Sequence, residues 1–105
     1  MEAITNEILN SRNFLLYIHT PFCGTCHLAK SMFDQIESAH GKTIFYEMNA
    51  SLFPESMRAW EIESVPCLLI KIDGKIQEKV YVFHSIPNIY YHLLKYDPET
   101  FLGNK

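Results

Sequence analysis

The chain has 105 residues, 48% of them apolar and 20% charged, a composition that supports one buried core and excludes intrinsic disorder. Nine basic and twelve acidic residues give a formal charge of −3 with no basic cluster, which argues against a nucleic-acid-binding surface. The longest strictly apolar run, Phe14 to Ile18, is far short of a membrane span, and the acidic opening Met1 to Glu7 has no apolar stretch of the signal-peptide kind. The expectation is one domain over residues 1–105, cytoplasmic, with no nucleic acid and no membrane among its partners.

Ile4, Ile8 and Leu9 follow helical spacing with Thr5 or Asn6 as cap, so residues 3–10 read as a short helix. Asn10-Ser11-Arg12-Asn13 is a turn, and Phe14 to Ile18 is the continuous apolar run of a strand covered on both faces, ended by Pro21. From Cys23 the period changes. Leu28, Ala29, Met32, Phe33 and Ile36 form one helical stripe, with Gly41 as terminator. Ile44 to Met48 reads as a second strand, and Pro54 opens a helix through Trp60, where its missing N–H costs nothing. Cys67 to Ile70 starts a third strand, Asp73-Gly74 is a hairpin turn, and Ile76 to Phe83 returns as a fourth. Ile86, Ile89, Leu93 and Tyr96 mark a last helix capped by Ser85, and the tail from Asp97 to Lys105 is expected to fray. The order α-β-α-β-α-β-β-α predicts an α/β fold: a four-stranded mixed sheet with helices on both faces.

Chemistry concentrates at Cys23-Gly24-Thr25-Cys26. Cys23 falls where a strand gives way to a helix N-terminus, whose first-turn N–H groups supply roughly half a positive charge and favour thiolate over thiol. Cys26 lies one turn further in, at a spacing that modest adjustment closes into a disulfide. The asymmetry assigns the attack to Cys23 and the resolving step to Cys26, with Gly24 and Thr25 keeping the intervening turn small.

Phe22-Cys23-Gly24-Thr25-Cys26 after an apolar strand, Val65-Pro66 before the next, and Asp73-Gly74 in its hairpin resemble the thioredoxin family, in element order from residue 3 to 96. The resemblance implies a thioredoxin-like fold and protein dithiol–disulfide exchange. It also implies a cis Pro66 facing the dithiol, a Val65 backbone that pairs with an extended substrate segment, and Phe22 beside the substrate. Departures from the family pattern are visible too. Its first strand has no counterpart here; Tyr17 stands where the family carries a buried acid, Glu47 where it carries a lysine, and His19 where it carries an aromatic. The central dipeptide is Gly-Thr, and the glycine that follows the family's last strand is missing around Val82.

Other readings of the same residues stay open at this level. Cys23 to His27 fits the C-x-x-C-H haem-attachment pattern literally, although that attachment belongs with exported chains. Cys67, directly after Pro66, reads as a small apolar residue near the dithiol, as a regulatory disulfide partner, or as a third thiol ligand with His19 or His27 completing a zinc site. His27, at i+4 from Cys23, and His19, on the same strand face as Tyr17, are the candidates for proton transfer, with Tyr17 beside them. The leading reading is a monomeric thiol–disulfide oxidoreductase acting on protein or small-molecule disulfides, with no cofactor and no metal. Its partners are a disulfide-containing protein substrate and a reductant, either a thioredoxin-reductase-type enzyme or a low-molecular-weight thiol. The alternative is a non-catalytic binding or metal-sensing module using Cys23, Cys26 and Cys67.

Overall fold

The apolar run of the first long strand needs cover on both sides, and the architecture supplies it. The computed structural model describes residues 1–97. In chain order it contains β1 (Glu2–Ala3), α1 (Asn6–Leu9), β2 (Phe14–His19), α2 (Gly24–His40), β3 (Tyr46–Asn49) and a 3-10 turn (Ala50–Leu52). α3 (Pro54–Ala59), β4 (Cys67–Ile72), β5 (Lys75–Val80) and α4 (Ile86–Leu94) follow. The sheet runs β1-β3-β2-β4-β5. β1 and β2 flank β3 in parallel, and β4 lies antiparallel to both β2 and β5.

Alternation along the strands divides the core in two. Tyr17, Leu68, Ile70 and Val80 point to one face and pack under Cys26, Ala29, Phe33 and Ile36 of α2 and Ile89 and Leu93 of α4. Leu16, Ile18, Met48, Cys67 and Leu69 point to the other, where Ile8 and Leu9 of α1, Met57 of α3 and Trp60 close over them. β2 is therefore apolar at successive positions because both of its faces are covered.

Local chemistry sets the element ends. Thr5 Oγ1 caps α1 by accepting from the Ile8 N–H at 3.2 Å, and Ser85 Oγ caps α4 from the Asn88 N–H at 3.2 Å. Gly41 closes α2 at φ 67°, a left-handed conformation that suits glycine. Asp73 and Gly74 both take positive φ, as the two-residue hairpin requires.

Five expectations are corrected. The sheet has five strands, since Glu2–Ala3 pairs with Tyr46–Glu47, secured by the Ile4 N–H to the Glu47 carbonyl at 2.9 Å. The first helix is correspondingly shorter than residues 3–10. β3 begins at Tyr46 because the N–H groups of Ile44 and Phe45 donate to Glu37 Oε2, at 2.8 and 2.9 Å, and not to a ladder. β5 stops at Val80, which frees Tyr81, Val82 and Phe83 to line a groove. α4 ends at Leu94, leaving Tyr96 to donate its hydroxyl to Glu78 at 3.1 Å, and the expected fraying beyond Asp97 falls outside the described residues.

Candidate functional site

β2 ends at His19, at one end of the sheet, and four residues later Cys23 becomes the N-cap of α2. Its extended backbone lets Sγ accept the N–H of Cys26 at 3.2 Å, so one first-turn donor of the helix is directed at the sulfur. Thr25 Oγ1 lies 3.5 Å from the same atom. Cys23 and Cys26 are joined as a disulfide with Cα atoms 5.2 Å apart. Their surroundings differ: Cys23 is partly exposed beside the fully exposed ring of Phe22, whereas Cys26 is 2% exposed, packed against the core under α2.

Beside the dithiol runs a groove of about 340 Å³. Thr25, Leu28 and Ala29 form one wall, Val65 and Pro66 the floor, and Tyr81, Val82 and Phe83 the other wall. The Val65–Pro66 peptide bond is cis, and Pro66 is buried while Val65 remains partly open. Leu28 and Val82 keep well over half of their surface exposed at the rim.

Under Cys26 lies a second group of residues. The Tyr17 hydroxyl donates to the Cys26 carbonyl, and the Tyr17 ring stacks on His19 with centroids 5.3 Å apart. His19 Nε2 is in turn 3.4 Å from Glu47 Oε1, each side chain about a quarter exposed. Glu47 sits beside Tyr17 in the parallel register of β2 and β3, which turns both side chains to the same face. Burial, with the charges of Glu47 and Asp34, pushes the Tyr17 phenol far above its ordinary range.

Of the residues singled out from the sequence, Cys23 and Cys26 are bonded, and Phe22, Val65 and Pro66 stand around them. Tyr17 and His19 are together. His27 is apart: its backbone N–H meets the Cys23 carbonyl at 3.3 Å, while its side chain lies on the open flank of α2 with Lys30, Ser31 and Asp34. Cys67 is the small buried apolar residue of the first of its readings. It is fully buried opposite Ile18 on the α1/α3 face, across the sheet from Cys26, because Leu68 and Cys67 alternate sides. Burial pushes its thiol up to about 12, against a partial pull from Lys79. The three thiols therefore do not converge. Among the described residues no group of three or more His, Cys, Asp or Glu could hold a metal ion. Sequence reading missed the Glu47–His19 pair and the groove walls at Leu28 and Val82; both depend on strand register and on where β5 ends.

A cysteine pair at a strand–helix junction, one sulfur open and one buried, beside a mostly apolar groove defines a thiol–disulfide oxidoreductase built on an α/β sheet. The thioredoxin family model matches residues 2–89, and the chain belongs to the thioredoxin family. It is 43% identical over 77 residues to the thioredoxin-like protein YusE of Bacillus subtilis (strain 168), covering 73% of each chain. Among solved structures, thioredoxin-2 of the malaria parasite superposes with a TM-score of 0.70 at 18% identity, over 83% of this chain and 87% of that one. Oxidised mitochondrial thioredoxin 3 from Saccharomyces cerevisiae gives 0.69 at 14% identity, over 86% and 84%. At those identities the structural likeness speaks to the fold.

Proposed function

We propose that Cys23 is the nucleophile and Cys26 the resolving thiol of exchange with protein disulfides. The Cys23 thiolate attacks one sulfur of the substrate disulfide, forming a mixed disulfide and releasing the other sulfur as a thiolate. Cys26 then attacks Cys23 Sγ, the bond to the substrate breaks, and the Cys23–Cys26 disulfide closes. Two electrons pass to the substrate, and a thioredoxin-reductase-type enzyme or a low-molecular-weight thiol returns them to the pair.

One observation carries this assignment: the Cys26 N–H directed at a partly exposed Cys23 Sγ, while Cys26 itself is 2% exposed. A first-turn N–H stabilises negative charge on the outer sulfur, and burial denies the inner one to incoming disulfides. Val65 and Pro66 form the ledge on which an extended substrate segment lies, with Phe22 at its edge and the apolar groove taking its side chains. With two paired cysteines and a single buried third, the chain suits a reducing compartment, and we assign it to the cytoplasm, acting as a monomer.

The test is a pair of substitutions. Cys26→Ser is expected to accumulate a mixed disulfide visible by intact mass, and Cys23→Ser to form none. A trapped adduct on Cys23→Ser would overturn the assignment. Equilibration in redox buffers then gives the direction of exchange: a potential near or below about −250 mV marks a reductase, one near −150 mV an oxidant or isomerase.

A further inference from the structure

Docking an extended segment by main-chain hydrogen bonds needs a ledge held in one place, because such bonds form only over a narrow range of distance and angle. The stretch that leads to Val65 and Pro66 has no ladder of its own to hold it. Residues 60–66 lie between α3 and β4 and belong to neither element. Trp60 ends α3, and the chain turns at Glu61 with φ 56°, a left-handed conformation that a residue bearing a Cβ keeps only where its surroundings hold it. The Glu61 N–H meets the Arg58 carbonyl at 3.1 Å and the Ile62 N–H the Met57 carbonyl at 2.9 Å, which closes the turn against the helix.

Two side chains at the end of β5 reach this stretch from outside. Lys79 Nζ donates to the Trp60 carbonyl at 2.9 Å and to the Glu61 carbonyl at 3.5 Å, placing a positive charge at the carbonyl end of α3. The Tyr81 hydroxyl accepts the Glu63 N–H at 3.2 Å. Lys79 stands opposite Leu69 in the β4–β5 ladder, and Tyr81, two residues on, packs at the same core face as Leu69, together with Trp60, Ile62 and Val65. Tyr81 is also part of the groove wall beside Val65 and Pro66.

We propose that Lys79 and Tyr81 are positioning residues for substrate docking: by tying Trp60, Glu61 and Glu63 to the end of β5, they set where the Val65–Pro66 ledge lies against the groove wall. The inference deepens the reading that an extended substrate segment lies on that ledge, and rests on it. Tyr81 serves as wall and tether at once, so one hydrogen bond joins the two sides of the groove before a substrate arrives. That pre-organisation counts for a polypeptide, which must meet ledge and wall together, and not for a small disulfide that needs only Cys23 Sγ.

Tyr81→Phe keeps the ring in the wall and removes only the oxygen that accepts from Glu63. Lys79→Met keeps the apolar stem and removes the ammonium. Amide hydrogen exchange reads the tether directly: the Glu63 N–H should exchange about fivefold faster or more in Tyr81→Phe, the scale of one lost hydrogen bond. Docking is read by kcat/KM for insulin, a protein disulfide, divided by the rate constant for a chromogenic aromatic disulfide. That ratio should fall about threefold or more in either variant and further in the double variant, with the change in KM. Lys79→Arg, which keeps donors for both carbonyls, should hold the wild-type ratio. A lowered melting temperature with an unchanged ratio would make both side chains structural only and overturn the proposal, as would wild-type exchange of the Glu63 amide in Tyr81→Phe. A wild type that reduces the aromatic disulfide and not insulin would overturn the docking reading itself, and the tether's role with it.

Discussion

The phenol of Tyr17 is hydrogen-bonded to the carbonyl of Cys26, nine residues further along the chain, so the strand leading into the site also holds the first turn of the helix that follows it. The ring fills the space between β2 and α2 against Phe33, with centroids 4.9 Å apart. Tyr17→Phe keeps that packing and removes one buried hydrogen bond. The expected loss is about 1 kcal/mol, seen as a melting temperature lowered by roughly 5 °C in the oxidised protein. Because the phenol stays neutral through the working range, the pH profile of disulfide exchange should keep its shape. A changed profile would make Tyr17 a proton carrier after all.

The groove walls should favour polypeptide substrates over small ones. Val82 is 57% exposed and Leu28 63%, and they face the channel from opposite sides. An apolar side chain laid between them contributes on the order of 1.5 kcal/mol through burial. Val82→Asp should therefore lower kcat/KM for a protein disulfide by about tenfold. It should leave the rate with an aromatic small-molecule disulfide within about twofold, because that reagent reaches Cys23 without occupying the groove. Equal losses on both substrates would place the defect at the dithiol and not in the channel.

Cys67 is walled off from the chemistry by the sheet itself. With its thiol pushed up to about 12 by burial on the α1/α3 face, it should resist alkylation in the folded protein. Iodoacetamide at about pH 8 is expected to label the partly exposed Cys23 of the reduced protein readily, and Cys67 only after denaturation. Cys67→Ala should cost about 1–2 kcal/mol for the sulfur lost from the core while leaving disulfide exchange unchanged. Rapid native labelling of Cys67 would contradict the burial.

How far the fold could be read in advance depends on how local its causes are. The apolar run of β2, the Gly41 terminator, the Asp73-Gly74 turn and the Ser85 cap are each written within a few residues, and each stands where its pattern predicts. β1 left no signal because it has two exposed residues and no periodicity, and its pairing with β3 is a matter of sheet edge and not of pattern. The start of β3 was hidden by a carboxylate seven residues upstream of Ile44, which takes the N–H groups a ladder would use. At the site, Cys23 and Cys26 were readable from the junction of two periods. The side of the sheet that Cys67 occupies and the meeting of His19 with Glu47 follow from strand register, which no single segment encodes.

That upstream carboxylate, Glu37, couples stability to acid. Its Oε2 accepts from the N–H groups of Ile44 and Phe45, and its Oε1 lies 2.9 Å from the Met1 ammonium. Burial alone would raise the carboxyl, but the Phe45 N–H, the ammonium and the Ile44 N–H outweigh it and hold the group below its ordinary 4.5. A carboxylate more acidic in the folded than in the unfolded chain stabilises the fold fully above the unfolded value. That contribution is lost as the pH drops through the folded one. The urea midpoint of the wild type should accordingly be flat from pH 7 to about pH 5 and fall below about 4.5. Glu37→Gln keeps an oxygen acceptor but no charge, and should cost about 1–3 kcal/mol at pH 7. Its midpoint should then change less than the wild type's on acidification, so that the two curves converge near pH 3. Curves that stay parallel over the whole range would show that the charge on Glu37 contributes nothing to holding the start of β3.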